Sequence, residues 1–165
     1  MENYICKIAT VDEMNRRWDY MISNASKKEN WSTWKIENIR NYKMNKIIPY
    51  YGILNGEIIC EATAVVDGDI VQNSDGLVND TTVYLTGFRT NKEYENKGYF
   101  SKLYKFMEDD LKSKGYIFLT LGVEPKEERN KAIYKHYGFV EHIKNDKEYY
   151  PDGNEIVVEY YGKKI

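Results

Sequence analysis

The chain lacks any apolar run approaching the roughly 20 residues that a helical membrane span requires, so no helical crossing of a bilayer is expected of it. Cysteine is nearly missing as well. The two present, Cys6 and Cys60, lie in separate apolar runs without a C-x-x-C partner or metal-ligand spacing, and they read as buried reduced thiols rather than a disulfide. The histidines, His136 and His142, have no partner spacing for a metal, and none is expected. An excess of one charge is missing too: 24 basic residues are interspersed with 26 acidic ones for a net charge of -2. Without a broad cationic field, nucleic acid is not an expected partner, and any cationic attraction must be local. Met1 to Thr10 has neither a basic head nor an apolar core followed by small residues, so no secretory signal and a cytoplasmic location are expected. Internal repeats and low-complexity segments are absent.

What is present fits one domain spanning residues 1–165, long enough to bury roughly two thirds of its unfolded surface. The 16 tyrosines accompany an enrichment in Lys, Asn and Ile and are read as an AT-rich coding bias before any aromatic ligand is invoked. Residues Asn3 to Thr10 read as a strand, and Asp12 as the N-cap of a helix carrying Met14, Trp18, Met21 and Ile22. A second helix is expected over Glu29 to Lys46, with Trp31, Trp34, Ile39, Tyr42 and Met44 inward. Ile47 to Leu54 and Glu57 to Val66 form a hairpin about Asn55-Gly56, a dipeptide suited to a tight turn with positive φ. Asp67 to Asp80 is expected to be a polar, mobile loop of the kind that borders sites. A strand at Thr81 to Arg89, a helix at Gly98 to Lys114, a strand at Tyr116 to Val123 and a short helix ending near Tyr137 follow. The last pair of strands, Val140 to Tyr149 and Glu155 to Tyr161, flanks the turn Pro151-Asp152-Gly153. The pattern is α+β, with a βαβ crossover that sets the Tyr116 strand parallel to the Thr81 strand.

Glu95-Asn96-Lys97-Gly98-Tyr99-Phe100-Ser101-Lys102-Leu103 joins an extended run to an amphipathic helix, in which Phe100, Leu103, Tyr104, Met107 and Leu111 recur at helical spacing. A helix starting near Gly98 aims unpaired amides and the positive end of its dipole forward, where an anion is favoured. Further on, Asn130 to Val140 reads as a short helix closed by Gly138 and re-entering a strand. Together the two segments resemble the GNAT superfamily of acetyl-CoA-dependent N-acetyltransferases. The first is similar to its Arg/Gln-x-x-Gly-x-Gly/Ala pyrophosphate loop. The second is similar to its A-x-x-x-Y-x-x-x-G-F helix, shortened around Ala132, Tyr134, Gly138 and Phe139.

That resemblance implies a GNAT-like acyl-CoA N-acyltransferase fold: a mixed, mostly antiparallel sheet with a splayed parallel strand pair, flanked by helices. It implies that main-chain atoms of Phe88, Arg89 and Thr90 pair with the pantetheine arm of acetyl-CoA, and that the amides of Asn96, Lys97, Gly98, Tyr99, Phe100 and Ser101 cradle the pyrophosphate. Two departures stand out. Glu95 replaces the usual Arg or Gln, with Lys97 as a compensating charge, and Phe100 replaces Gly or Ala, acceptable if it joins the Leu103 and Met107 face. Asn130 is the nearest substitute for the family's pantetheine-contacting Asn, whose place falls near Glu127. Tyr134 matches the general acid beside the sulfur, the plainer alternative being a gap-filling helix tyrosine. Glu61, which interrupts an apolar strand, and Glu124, at a strand end, are the candidate general bases. A primary amine of a small molecule or peptide is the implied acceptor, walled by Trp18, Tyr20, Trp31, Trp34, Tyr149 and Tyr150 with the acidic Asp67 to Asp80 loop. A homodimer is kept open, no membrane partner is expected, and a degenerate CoA-binding or sensor module is the alternative to an enzyme.

Overall fold

A computed structural model describes residues 2–165. The elements run β1 (Tyr4–Ile8), α1 (Val11–Asn24), α2 (Lys28–Lys43), β2 (Ile47–Leu54), β3 (Glu57–Val65), β4 (Thr82–Thr90), α3 (Tyr99–Ser113), β5 (Phe118–Val123), α4 (Glu128–His136), β6 (Glu141–Tyr149) and β7 (Glu155–Lys164). The strands form one seven-stranded sheet in the order β1-β2-β3-β4-β5-β7-β6. Every pairing is antiparallel except β4 with β5, which is parallel, as the crossover through α3 requires. The expected element order is therefore found.

Local chemistry explains most boundaries, and it corrects several. α1 starts on Thr10, not Asp12: Thr10 Oγ1 accepts from the Glu13 amide at 3.2 Å and Glu13 Oε1 accepts from the Thr10 amide at 2.8 Å. This reciprocal pair satisfies two amides where Asp12 could satisfy only one, and Asp12 stays in the first turn beside the positive dipole end. α2 ends at Lys43, ahead of the expected Lys46, because Asn45 at φ 59° turns the chain into β2. Met44 consequently lies exposed at the cap. The Asn55-Gly56 turn has both residues in the left-handed region, at φ 50° and 85°.

β2 and β3 are buried along almost their whole length because helices cover both faces of the sheet. On one face Leu103, Tyr104, Met107 and Leu111 of α3 pack on Tyr50, Ile59, Val83, Leu85, Leu119 and Leu121. On the other, Met14 and Trp18 of α1 pack on Ile47, Tyr51, Ile53, Ile58 and Val65, with Trp31 and Trp34 of α2 alongside. Each fully buried Leu or Met contributes about 1.5–3 kcal/mol of transfer free energy. Cys6 and Cys60 are free thiols on strands either side of Gly52.

The Asp67 to Asp80 segment is strapped down rather than mobile. Leu77 is fully buried against Val158 and Tyr160, Gln72 exchanges two bonds with the Tyr149 backbone at 2.9 and 2.8 Å, and Asn73 donates to Lys147 O at 2.7 Å. Among the described residues no helix is long and apolar enough to cross a membrane.

Candidate active site

The parallel pair opens as it runs. β4 and β5 are registered only from Thr82↔Phe118 to Leu85↔Leu121; beyond that β4 keeps β3 and β5 keeps β7. Gly87 at φ 68° and a register shift between Glu61 and Thr63 turn the end of β4 away. The β4 edge over Phe88, Arg89 and Thr90 thus faces a gap, with a strand on one side only.

On the α3 side of the gap lies a groove of about 540 Å³. Phe88, Arg89 and Thr90 line it from β4; Asn96, Gly98, Tyr99, Phe100 and Ser101 from the loop and the start of α3; Asn130 and Tyr134 from α4. Gly98 is the N-cap of α3 at φ 86°, and no side chain caps the helix. The first backbone bond there is Lys102 N to Gly98 O at 3.3 Å, so the amides ahead of it have no helical acceptor. A Cβ on Gly98 would meet nothing within 4 Å, so in the protein alone glycine is demanded by the backbone angle, not by space.

Phe100 is half-buried, packs on the α3 core and stacks on Phe88 at 5.2 Å and on Tyr137 at 6.0 Å, so one ring serves both core and groove wall. Tyr134 meets Phe88 edge-on at 5.7 Å. Lys97 does not line the groove; its ammonium sits 6.0 Å over the Tyr94 ring. Glu95 is instead paired across the groove mouth with Arg129 at 3.4 Å, a partner that exposed helix position gave no reason to expect. Asn130 donates to Glu127 Oε2 at 2.9 Å.

A second cleft, of about 390 Å³, opens on the α1–α2 side and shares Phe88, Arg89 and Tyr134 with the first. The two spaces therefore meet at the end of β4. Glu61 lines the cleft but is buried, with one carboxylate oxygen held by Arg17 Nε and the other by Arg89 Nη1 at 3.1 Å. Arg17, itself 2% exposed, also donates to Asn91 Oδ1 at 2.6 Å. Arg89 lies 4.8 Å over Trp31, which packs tilted against Trp18 at 5.9 Å and edge-to-face with Trp34 at 5.4 Å. Trp31 is thus behind the cleft and Tyr20 is outside it, whereas Trp18, Trp34, Tyr149 and Tyr150 line it. From the Asp67 to Asp80 loop only Gln72 lines the cleft.

The negative charge in the cleft comes from elsewhere. Glu124 at the end of β5, Glu127 ahead of α4 and Glu148 on β6 all line it. Burial pushes the Glu124 carboxyl up, and its bond to Glu127 and the charge of that residue push it further. Burial also raises Glu148, opposed chiefly by the hydrogen bond that it accepts from Tyr160 at 2.5 Å. Burial, and then the charges of Glu124, Glu127 and Glu148, raise the Tyr150 phenol, which lines the same cleft as all three. Burial, then Glu127, raises the Tyr134 phenol. Among the described residues no group of His, Cys, Asp and Glu is arranged to hold a metal.

Residues 13–139 match the model of the acetyltransferase (GNAT) family. Comparison with curated proteins finds no match. Among solved structures, the fold is similar to an acetyltransferase of the GNAT family from Streptococcus pneumoniae, with TM-score 0.70 and 18% identity over 99% of this chain and 100% of that one. It is similar also to an N-acetyltransferase from Staphylococcus aureus Mu50, with TM-score 0.69 and 16% identity over 98% of each chain. A third likeness is to the ribosomal-protein-S18-alanine N-acetyltransferase from Escherichia coli, with TM-score 0.65 and 17% identity over 99% of this chain and 94% of that one. At such identities the structures establish the shared fold, and the family match over most of the chain establishes the rest: this protein belongs to the acetyltransferase (GNAT) family.

Proposed function

We propose that the chain is an N-acetyltransferase that moves an acetyl group from acetyl-CoA to a primary amine by direct transfer, with both substrates bound at once. The observation that carries this reading is the meeting of the two clefts at Phe88, Arg89 and Tyr134, which lets a donor and an acceptor enter from opposite faces of the sheet. The groove residues fit the donor: an uncapped helix start with Asn96 and Gly98 at positive φ suits a pyrophosphate, and an aromatic wall beside a one-sided strand edge suits a pantetheine arm. Acetyl-CoA supplies the activated thioester when bound.

The protein's own groups do the rest. Main-chain N–H and C=O groups of Phe88 to Thr90 orient the donor as an added strand, and an N–H there is the donor for the carbonyl oxygen. Tyr134, a phenol that is protonated at neutral pH and that burial shifts further in the same direction, serves as acid, delivering its proton from Oη to the departing thiolate. Glu61 is committed to two guanidinium groups, so it fixes Arg89; Glu124 and Glu127, which line the cleft without a guanidinium partner, are better placed to take the amine's proton. The test is thiol release from acetyl-CoA with an amine panel. Tyr134→Phe is expected to bind CoA with unchanged affinity by calorimetry and to lose most turnover; equal turnover would refute the acid role, and no CoA binding by wild type would refute the whole reading.

A further inference from the structure

The acceptor cleft contains more negative charge than one amine needs. Among the described residues, Glu127 and Glu148 have no Lys or Arg nitrogen within 4 Å, and the cation near Glu124, Lys126, is 3.8 Å away and 82% exposed. Arg89, the guanidinium in the cleft, is already matched by Glu61. Glu148 lies on a different element from Glu124 and Glu127, on β6, and accepts from the Tyr160 phenol at 2.5 Å but has no counter-ion. Tyr149, Tyr150 and Trp34 wall the space around it, with Trp34 and Tyr150 edge-to-face at 5.4 Å. A carboxylate held by the Tyr160 phenol, half-buried and unmatched, is an ammonium seat, and the aromatic faces that line the same cleft favour the same ligand.

We propose that the acceptor is a linear aliphatic amine bearing a second positive charge: its remote ammonium rests on Glu148, its methylene stem lies along the aromatic wall, and its reacting amine lies by Glu124 and Glu127. This rests on the acetyltransferase reading. The geometry disfavours amino acids with a free carboxylate, which would face three carboxylates and find the one guanidinium already engaged. The loop from Asp67 to Asp80 plays no charge role in the seat, since Gln72 is its contribution to the lining.

Steady-state acetylation of n-alkyl monoamines and of α,ω-diamines with the same carbon count separates the ideas. The expected KM for a diamine is at least tenfold below that of its monoamine, and Glu148→Gln, which keeps an acceptor for the Tyr160 phenol, is expected to collapse that preference. Glu148→Asp, which retains the charge, is expected to keep part of it, and an unchanged calorimetric Kd for CoA shows each variant to be folded. Turnover of monoamines and diamines with equal KM, or a preference for zwitterionic acceptors, overturns the dicationic seat while leaving acetyl transfer standing. Calorimetric binding of diamines, lost in Glu148→Gln, with no acetylation of any amine supports the seat and overturns the transferase reading.

Discussion

Arg17→Met tests how the cleft is built. Arg17 is 2% exposed and ties α1 to β3 through Glu61, to Asn91 Oδ1 at 2.6 Å and to Ile58 O at 3.3 Å. Methionine keeps the apolar stem but leaves Glu61, 4% exposed, with Arg89 alone and strands the Asn91 oxygen. Removing one partner of a buried pair costs about 3–5 kcal/mol, and because Arg89 still faces Glu61 the expectation is the low end, about 3 kcal/mol. At about 2–4 °C per kcal/mol for a chain of this size, Tm should fall by roughly 6–12 °C. The pair is not fully compensated even in the native protein, since Arg17 Nη2 has no hydrogen-bond partner. Arg17→Met combined with Glu61→Leu should therefore be less destabilised than the sum of the two single variants, with a coupling of about 2 kcal/mol in a urea-unfolding double-mutant cycle. A cost below about 1 kcal/mol for Arg17→Met, or strict additivity, would refute the reasoning.

Two further predictions concern the ends of the site. Gly98→Ala and Gly115→Ala both place a side chain at positive φ, 86° and 93°, with nothing within 4 Å, so each should lose about 1 kcal/mol in thermal unfolding; only Gly98→Ala, at the start of α3, should raise the Kd for CoA, and an equal effect from Gly115→Ala would count against a pyrophosphate cradle. The folded-state pKa of Glu148 is raised, so the native protein binds its proton more readily than the unfolded chain does, and the stability linked to it is present at acid pH and lost as pH rises through the folded value. Glu148→Gln should thus match wild type below the ordinary glutamate pKa of about 4.3 and gain stability over it towards neutral pH; a gain that instead grows on acidification would contradict the assignment.

Legibility of the sequence depended on the range of the chemistry. Gly98 with the Phe100, Leu103 and Met107 face, and Asn55-Gly56 between alternating strands, are local signals in which backbone angle and periodicity agree, and both elements lie where they were expected. Arg17 carries no local signal of its role, because its partner Glu61 lies on β3 and only the packed sheet brings them together. Glu148 stands in a run of charged residues with no local signal of a site, since the phenol that holds it comes from β7. Leu77 is one of four apolar residues, with Ile70, Val71 and Val78, scattered among Gly, Asp and Asn that mark a loop, and that spacing does not announce that the loop is anchored. Glu127 stands in the sequence only as the place of a missing Asn, yet it lines the cleft with Glu124 and receives the Asn130 bond. Arg129 stands on an exposed helix turn, and its pairing with Glu95 follows only from the approach of α4 to the loop.

The most direct test of acetyl transfer at the meeting of the two clefts is to follow free thiol by absorbance and acetylated amine by mass spectrometry in one reaction with acetyl-CoA and an α,ω-diamine. The expected result is one acetylated amine for each thiol released, with release abolished when the amine is omitted and strongly reduced in Tyr134→Phe. Thiol release that proceeds without amine, or a protein that neither binds CoA nor acetylates any amine offered, would contradict it.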